Sequence, residues 1–302
     1  PFALYDCFSD SPFGGSQAAV VSNAAGLSAD IRERIARELG LPATAFVTAS
    51  NGHEIGVRFL STVMELPMCG HGTLGLVTRM VELGELALDP DRPLDVTLNL
   101  PAGPASLAVT SRQDGRPQIM LQVRPPHFRN DHVDTKRLCG LLGLTPADLS
   151  DSLPVETAAA DFIHLVVPLC GLAEMRRITP DFGGIVKLCH EHGLETIVVI
   201  CTETERLHST IHVRDFCPAV GVPESAAAGT TNAAVSGYLL RHAVVSPDAN
   251  GKVELRAEQG IELNRPSEIH TQITLSDGKI DKLKVGGIAT KIAEGTLLVP
   301  AS

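Results

Sequence analysis

Apolar and polar residues alternate in short stretches along the whole chain, and a few segments with helical spacing interrupt them. Lys252–Ala257 and Glu268–Leu275 alternate with period two, the pattern of a half-buried strand. Alternation, or a short apolar run between turn residues, also predicts strands at Phe2–Phe8, Gln17–Ser22, Glu54–Leu60, Leu94–Leu100, Ala105–Thr110 and Gln118–Gln122. Further along it predicts Phe162–Val167, Thr196–Cys201, Ser209–Arg214, Asp281–Val285 and Gly295–Val299. Helices are predicted at Ala29–Leu39, Gly72–Leu83, Thr135–Leu142, Phe182–His192 and Thr230–His242. In the first of these, Ser28 is placed to cap, Ile31, Ile35 and Leu39 share one face, and Gly40 supplies the stop.

Two of the helices lack a polar face. No charged residue lies between His71 and Arg79 in HGTLGLVTR, nor between Thr230 and Arg241 in TTNAAVSGYLLR. A helix without a charged face is a buried one, so both are predicted to be enclosed by strands. Each is entered through a Gly-Thr turn.

The pattern also repeats at long range. ADIRERIARELGLPATAFV, VRF and MCGHGTLG recur in order as DFGGIVKLCHEHGLETIVVI, VRDF and AAAGTTNAA, at offsets of about 153, 156 and 157 residues. The expected architecture is α+β: two pseudo-symmetric lobes, each a β-barrel-like sheet around a central buried helix. The N-terminal lobe is placed at residues 1–125 and the C-terminal lobe at 126–302, with the last strands free to cross back. The starts of the two buried helices, near Cys69 and Gly229, are expected to face each other across a cleft.

Composition narrows the function. Among 302 residues, 44% are hydrophobic and the net charge is −10, without a basic cluster. Nucleic acid and membrane are thereby disfavoured as partners, and no apolar run reaches the roughly 18 residues of a membrane span. The opening PFALYDCFSDSPFGG has no basic region followed by an apolar one, so no secretory signal is expected. The seven cysteines are scattered, odd in number and without a Cys-x-x-Cys pair. That argues against a disulfide framework or structural zinc and for a reducing cytoplasm. The remaining partner class is a small carboxylic acid, which needs only local donors.

The chemistry centres on ELPMCGHGTLG at Glu65–Gly75. A helix N-terminus presents unpaired N–H groups and positive potential, which suits a carboxylate. The same field is expected to lower the pKa of Cys69 and make its thiolate a proton-transfer group. His71 would support it by hydrogen bonding or shuttling the proton, and a helix-capping histidine is the plain alternative. Gly72–Thr73 and Gly229–Thr230 are the expected anion donors. The other six cysteines read as packing. His190 and His192 do not share a helix face, and His208 and His212 on one strand would lie roughly 13 Å apart, so no metal site is expected. Gly14–Gly15 lacks the remainder of a dinucleotide fingerprint, and no cofactor is expected.

These residues resemble a family. DCFSDSPFGGSQAAVV, LGLPATAFV, ELPMCGHGTLG, VRDFCPAVGVPESAAAGTTNAA and KVGGIA follow the order seen in PhzF-like (phenazine-biosynthesis) proteins, across nearly the whole chain. The resemblance implies the diaminopimelate epimerase / proline racemase superfamily and its fold, cofactor-independent proton transfer, and frequent homodimers. The candidate catalytic residues remain Cys69 and His71, with Ser16, Gly70, Gly72, Thr73, Ser225, Gly229, Thr230 and Thr231 as candidate substrate-binding residues.

The departures are as informative. Where PhzF-like enzymes carry a catalytic Glu this chain has Ala43, and where they carry an Asp it has Ser225. MCGHGT is similar to the cysteine motif of proline racemases, yet Ala226, Ala227 and Ala228 stand where their second cysteine would be. One thiol without a partner disfavours racemisation and points to a one-sided proton shift. The expected activity is double-bond isomerisation of a small cyclic amino or imino acid, such as a pyrroline-carboxylate in 4-alkylproline antibiotic biosynthesis. A hydroxyproline-type dehydratase and a non-catalytic carboxylate-binding protein are the alternatives.

Overall fold

The computed structural model describes residues 1–129 and 131–299. Residues 130 and 300–302, part of the expected C-terminal lobe, lie outside the described residues. The chain divides into two compact units: Pro1–Gln122 together with the stretch from Gly286 onward, and Val123–Val285.

The first unit contains β1 (Phe2–Cys7), β2 (Ser16–Val21), α1 (Ala29–Leu39), β3 (Ala43–Asn51), β4 (Glu54–Leu60), β5 (Glu65–Leu66), α2 (Gly70–Glu82), β6 (Leu94–Leu100), β7 (Gly103–Ser111) and β8 (Pro117–Val123). β1–β2 is antiparallel, β2–β3 parallel, β3–β4 antiparallel, β4–β5 antiparallel, β4–β6 parallel and β6–β7 antiparallel. The sheet wraps α2, which packs on β1, β2 and β3. Every residue of α2 from Gly72 to Met80 is buried. Its one cation, Arg79, sits in the last turn and pairs with Glu82 and Glu294. On the outer face α1 covers the sheet through Ile35 and Ala36, against Val21, Phe46 and Leu60. Ser28 accepts from the Ile31 N–H, and Gly40 closes the helix at φ 65°, as its sequence predicts. The β1–β2 turn depends on Gly15: at φ +55° a Cβ there would lie 1.9 Å from the Cys7 carbonyl oxygen.

The second unit repeats this order. It contains β9 (His127–Arg129), α3 (Thr135–Leu141), β10 (Glu156–Ala159), β11 (Ile163–Pro168), α4 (Leu172–Arg177), α5 (Phe182–His192), β12 (Thr196–Cys201), β13 (Ile211–Phe216), β14 (Glu224–Ser225), α6 (Gly229–Arg241), β15 (Lys252–Gln259), β16 (Ser267–Ser276) and most of β17 (Lys279–Gly287). Its pairings run antiparallel for β10–β11, parallel for β11–β12, then antiparallel for β12–β13 and β13–β14. β13–β15 is parallel and β15–β16 antiparallel. That succession matches the first unit step for step, so the sequence repeat is a repeat of topology. α6 is the second enclosed helix, buried from Thr231 to Leu239. The outward face of β11–β13 packs on α3, α4 and α5 through Leu165, Val167, Ile197, Val199 and Phe216. The chain then ends its described strands in the first unit with β18 (Ala289–Gly295), antiparallel to β1.

Some expected elements differ. The last strand is Ala289–Gly295 rather than Gly295–Val299, because residues 289–295 are the ones that find hydrogen-bond partners on β1. α4 escapes sequence detection because it has six residues and a glycine N-cap with no side chain. β5 and β14 are two-residue strands, below the length at which alternation is visible. His208 precedes β13 rather than lying on it, and pairs with Glu268 at 2.7 Å.

The loop before β13 is held by a buried charge cluster. His212 Nδ1 lies 2.8 Å from Glu258 and its Nε2 2.9 Å from Glu262. Glu258 also accepts the Glu205 and Arg206 N–H groups. Burial alone would lower the His212 pKa, but the two carboxylates outweigh it and push it up to about 9. A histidine held charged in the folded state stabilises fully below its unfolded pKa of about 6.5 and loses that contribution as pH rises through the folded value. The difference in unfolding free energy between the wild type and His212→Gln should therefore shrink by about 2–3 kcal/mol between roughly pH 6 and pH 10. Urea titrations at the two ends of that range check it. A difference that grows with pH would contradict the ion cluster.

Candidate active site

α2 starts where β5 ends, after the Pro67 break. Cys69 is its N-cap, with extended backbone (φ −147°, ψ 109°), and its sulfur accepts the Gly72 N–H at 3.4 Å. The Cys69 carbonyl accepts both the Thr73 N–H at 2.9 Å and the Thr73 hydroxyl at 2.8 Å. The thiol is thus fixed by its own helix. Gly72 is required beneath it. A Cβ there would come within 2.9 Å of the Phe59 ring and 3.2 Å of the Cys69 sulfur, so any side chain would displace the sulfur or the ring.

His71 projects beside the sulfur: Sγ lies 3.5 Å from its Nδ1 and 3.6 Å from its Nε2. Gly70 and His71 are half-buried and Cys69 is 6% exposed, which leaves the imidazole as the accessible member of the pair. Burial pushes the Cys69 thiol up to about 12, against the opposing pull of the Gly72 and His71 N–H groups. Burial also pushes His71 down to about 4. This corrects the expectation of a helix-stabilised thiolate. Desolvation outweighs the helix field here, and at neutral pH the pair rests as thiol and neutral imidazole. Nearby Cys7, fully buried, is also pushed up by its burial and by Cys69. Gly72 and Thr73 shape the turn, since the N–H of one and the hydroxyl of the other are engaged by Cys69 itself. Ser16 begins β2, half-buried and opposite Cys7.

The second unit builds the corresponding turn differently. Ala228 is the N-cap of α6 and provides no side-chain acceptor. Gly229 and Thr230, half-buried, hold the first two helical positions, whose N–H groups have no intrahelical partner. The approach to the turn is held by side chains on carbonyls: Gln259 on Ser225 at 2.7 Å, Ser267 on Ala226 at 2.8 Å and Asn232 on Ala228 at 2.9 Å. Thr231 is buried, and its hydroxyl donates to Asp215 Oδ2 at 2.8 Å. Ser225, on β14, is half-buried and directly opposite Asp215 on β13.

Sequence reasoning missed Asp215, although VRDF was part of the repeat. Alternation along β13 was the available signal, since it sets Asp215 on the opposite face from Phe216 and the outer core. Among the described residues no group of three or more His, Cys, Asp or Glu side chains is arranged to hold a metal ion. No described helix is long and apolar enough to cross a membrane.

The sequence profile of the PhzC-PhzF family, described as phenazine biosynthesis-like protein, matches residues 5–295. An uncharacterized isomerase of Mesorhizobium japonicum is 30% identical over 99% of this chain and 98% of its own length. The trans-2,3-dihydro-3-hydroxyanthranilate isomerase of Pseudomonas aeruginosa is 26% identical over 97% of this chain and 98% of its own. Among solved structures, a PhzF-family phenazine biosynthesis protein of Bacillus anthracis superposes with a TM-score of 0.88 at 26% identity, covering 99% of this chain and 100% of that one. A probable proline racemase of Agrobacterium radiobacter shares the fold, with a TM-score of 0.63 at 10% identity over 99% of this chain and 93% of that one.

The protonation states make a direct forecast about alkylation. At neutral pH, iodoacetamide should label exposed Cys170 at least about ten-fold faster than Cys69, because the thiolate is the reacting form. Peptide mapping of a time course reads the two rates. Preferential labelling of Cys69 would mean that its thiolate is populated after all.

Proposed function

Because the chain belongs to the PhzC-PhzF family of phenazine biosynthesis-like proteins, we propose that it moves a carbon-bound proton on a small cyclic amino or imino acid, without a cofactor. Isomerase is the name its curated relatives carry, and PhzF-type isomerase is the class it falls in. The observation that carries the reading is the Cys69–His71 contact of 3.5 Å at the entrance to a buried helix.

The resting protonation sets the roles. Neutral His71 takes the proton from the substrate carbon, while the Cys69 thiol gives its proton to a neighbouring carbon of the same conjugated system. The double bond shifts between them. Across the short contact the imidazolium then returns its proton to the thiolate, and the pair is reset. No proton is gained or lost overall and no co-reactant is needed. N–H groups at the helix start favour the negative charge that develops on the substrate. The Gly229–Thr230 turn offers backbone donors of the kind that hold a carboxylate.

A pair confined to one turn suits a proton shift better than racemisation, which needs acid–base groups on opposite faces. A pyrroline-carboxylate of 4-alkylproline antibiotic biosynthesis is the substrate this reading favours. The acid in the name of the Pseudomonas aeruginosa relative, trans-2,3-dihydro-3-hydroxyanthranilate, is the second compound to try.

Incubation of both acids in heavy water should give deuterated product of otherwise unchanged mass. Cys69→Ala and His71→Ala should each slow deuterium uptake by about 100-fold or more while keeping the wild-type circular dichroism spectrum. Loss of water from the substrate would identify a dehydratase. Undiminished exchange in Cys69→Ala would remove the thiol from the reaction.

A further inference from the structure

The repeat places Asp215 in a revealing position. Helices α2 and α6 both have 13 residues, and Gly72 and Thr231 each occupy the third position. In the first unit Phe59 is opposite Leu66 across β4–β5; in the second Asp215 is opposite Ser225 across β13–β14. Asp215 therefore holds the place of Phe59. Where Phe59 lays its ring against Gly72, Asp215 sets a carboxyl against Thr231. An apolar floor beneath one helix start is replaced by an acid beneath the other.

That acid is 2% exposed, and one of its oxygens is unassigned. Oδ2 accepts from Thr231, whereas Oδ1 has no hydrogen-bond partner among the described residues. A buried, orphaned carboxylate oxygen is costly unless it carries a proton or finds a donor. Directly opposed residues of an antiparallel pair share a face, with Cβ atoms about 4.5–5.5 Å apart. Half-buried Ser225 thus shares a face of the strand pair with the acid.

The neighbouring groups do not neutralise it. Thr196 on β12 lowers the Asp215 pKa through its hydroxyl, which also shares a 2.8 Å hydrogen bond with His164 Nδ1. His164 on β11 is pushed down to about 4 by burial and is neutral. On its own strand, Arg214 is bound to Glu224 through both carboxylate oxygens. Cys217 is pushed up by burial and stays a thiol. Burial and Glu224 raise Asp215 to about 6, against the hydroxyls of Thr231 and Thr196.

We propose that Asp215 is the positioning acid of the second turn, holding a proton that it exchanges with a bound acid through the hydroxyl of Ser225, with Thr231 fixing its orientation. This rests on the reading of the chain as a proton-transfer enzyme. It supplies that enzyme with a second proton-holding group, directly across β13–β14 from Ser225. The relay is balanced: Ser225 passes one proton outward as it receives one from Asp215, and the reverse step restores both.

Infrared difference titration of the carboxyl band, with Asp215→Asn as the blank, tests the linkage without any substrate. The wild type should show one carboxyl, absent from Asp215→Asn, with a midpoint near pH 6. Thr231→Val should raise that midpoint by about half a unit or more, since it removes a donor to the charged form. Cys69→Ala should leave it unchanged, so failure of the isomerase reading would not disturb this result. A midpoint near the ordinary value of about 4, or undiminished exchange in Ser225→Ala in the heavy-water assay, would overturn the relay. Rescue provides a functional arm: in the heavy-water assay, Ser225→Asp should restore at least ten-fold of the exchange lost in Asp215→Asn. A purely structural role for Asp215 would give no such rescue.

Discussion

An enclosed helix has polar atoms with nowhere to go except its ends, and this constraint organises both units. α2 and α6 carry no charged residue until their last turns because strands surround them, and their backbone is satisfied internally along the length, leaving only the termini to find other partners. At the C-terminal end of α2, Arg79 pairs with Glu82 and Glu294. At the N-terminal end of α2, Cys69 takes the Gly72 N–H on its sulfur and the Thr73 N–H and hydroxyl on its carbonyl, whereas the start of α6 has no side-chain cap. The chemistry is located there, on a scaffold that does not have to reorganise to use it.

The two units use one topology to make unlike turns. In the first, Cys69 caps the helix over an aromatic floor, and desolvation keeps the proton on sulfur. In the second, Ala228 leaves the turn uncapped, and a carboxyl takes the place of the ring. Burial acts on the three titratable groups in the directions their charges require: it raises the thiol and the carboxyl and lowers the imidazole. All three are thereby moved toward their neutral forms, and each proton transfer must be offset by the charge that develops on the substrate or on the partner group.

Much of this was legible in the sequence, for identifiable reasons. The absence of charge from His71 to Arg79 and from Thr230 to Arg241 foretold the enclosed helices, since only burial makes such a surface tolerable. The ordered recurrence of a helix, a Val-Arg strand and a Gly-Thr turn foretold a repeat that the strand pairings reproduce. Two kinds of feature were not legible. Elements of two to six residues, such as β5, β14 and α4, are too short for periodicity and depend on tertiary partners. The protonation state differs from the sequence expectation because the helix field around Cys69 can be read from its neighbours in sequence, whereas desolvation depends on the packing that the fold brings around it. Asp215 was overlooked for a similar reason: only the register of β13 against β14 shows that it lies behind Ser225.

The central claim is that the Cys69–His71 pair rests uncharged, with its proton on sulfur. Nitrogen NMR of the His71 ring, identified by comparison with His71→Gln, reads that state directly. The imidazole should stay neutral from about pH 8 down to about pH 5 and protonate only near pH 4. An imidazolium signal at neutral pH that disappears in Cys69→Ala would reveal a thiolate–imidazolium ion pair and contradict the account.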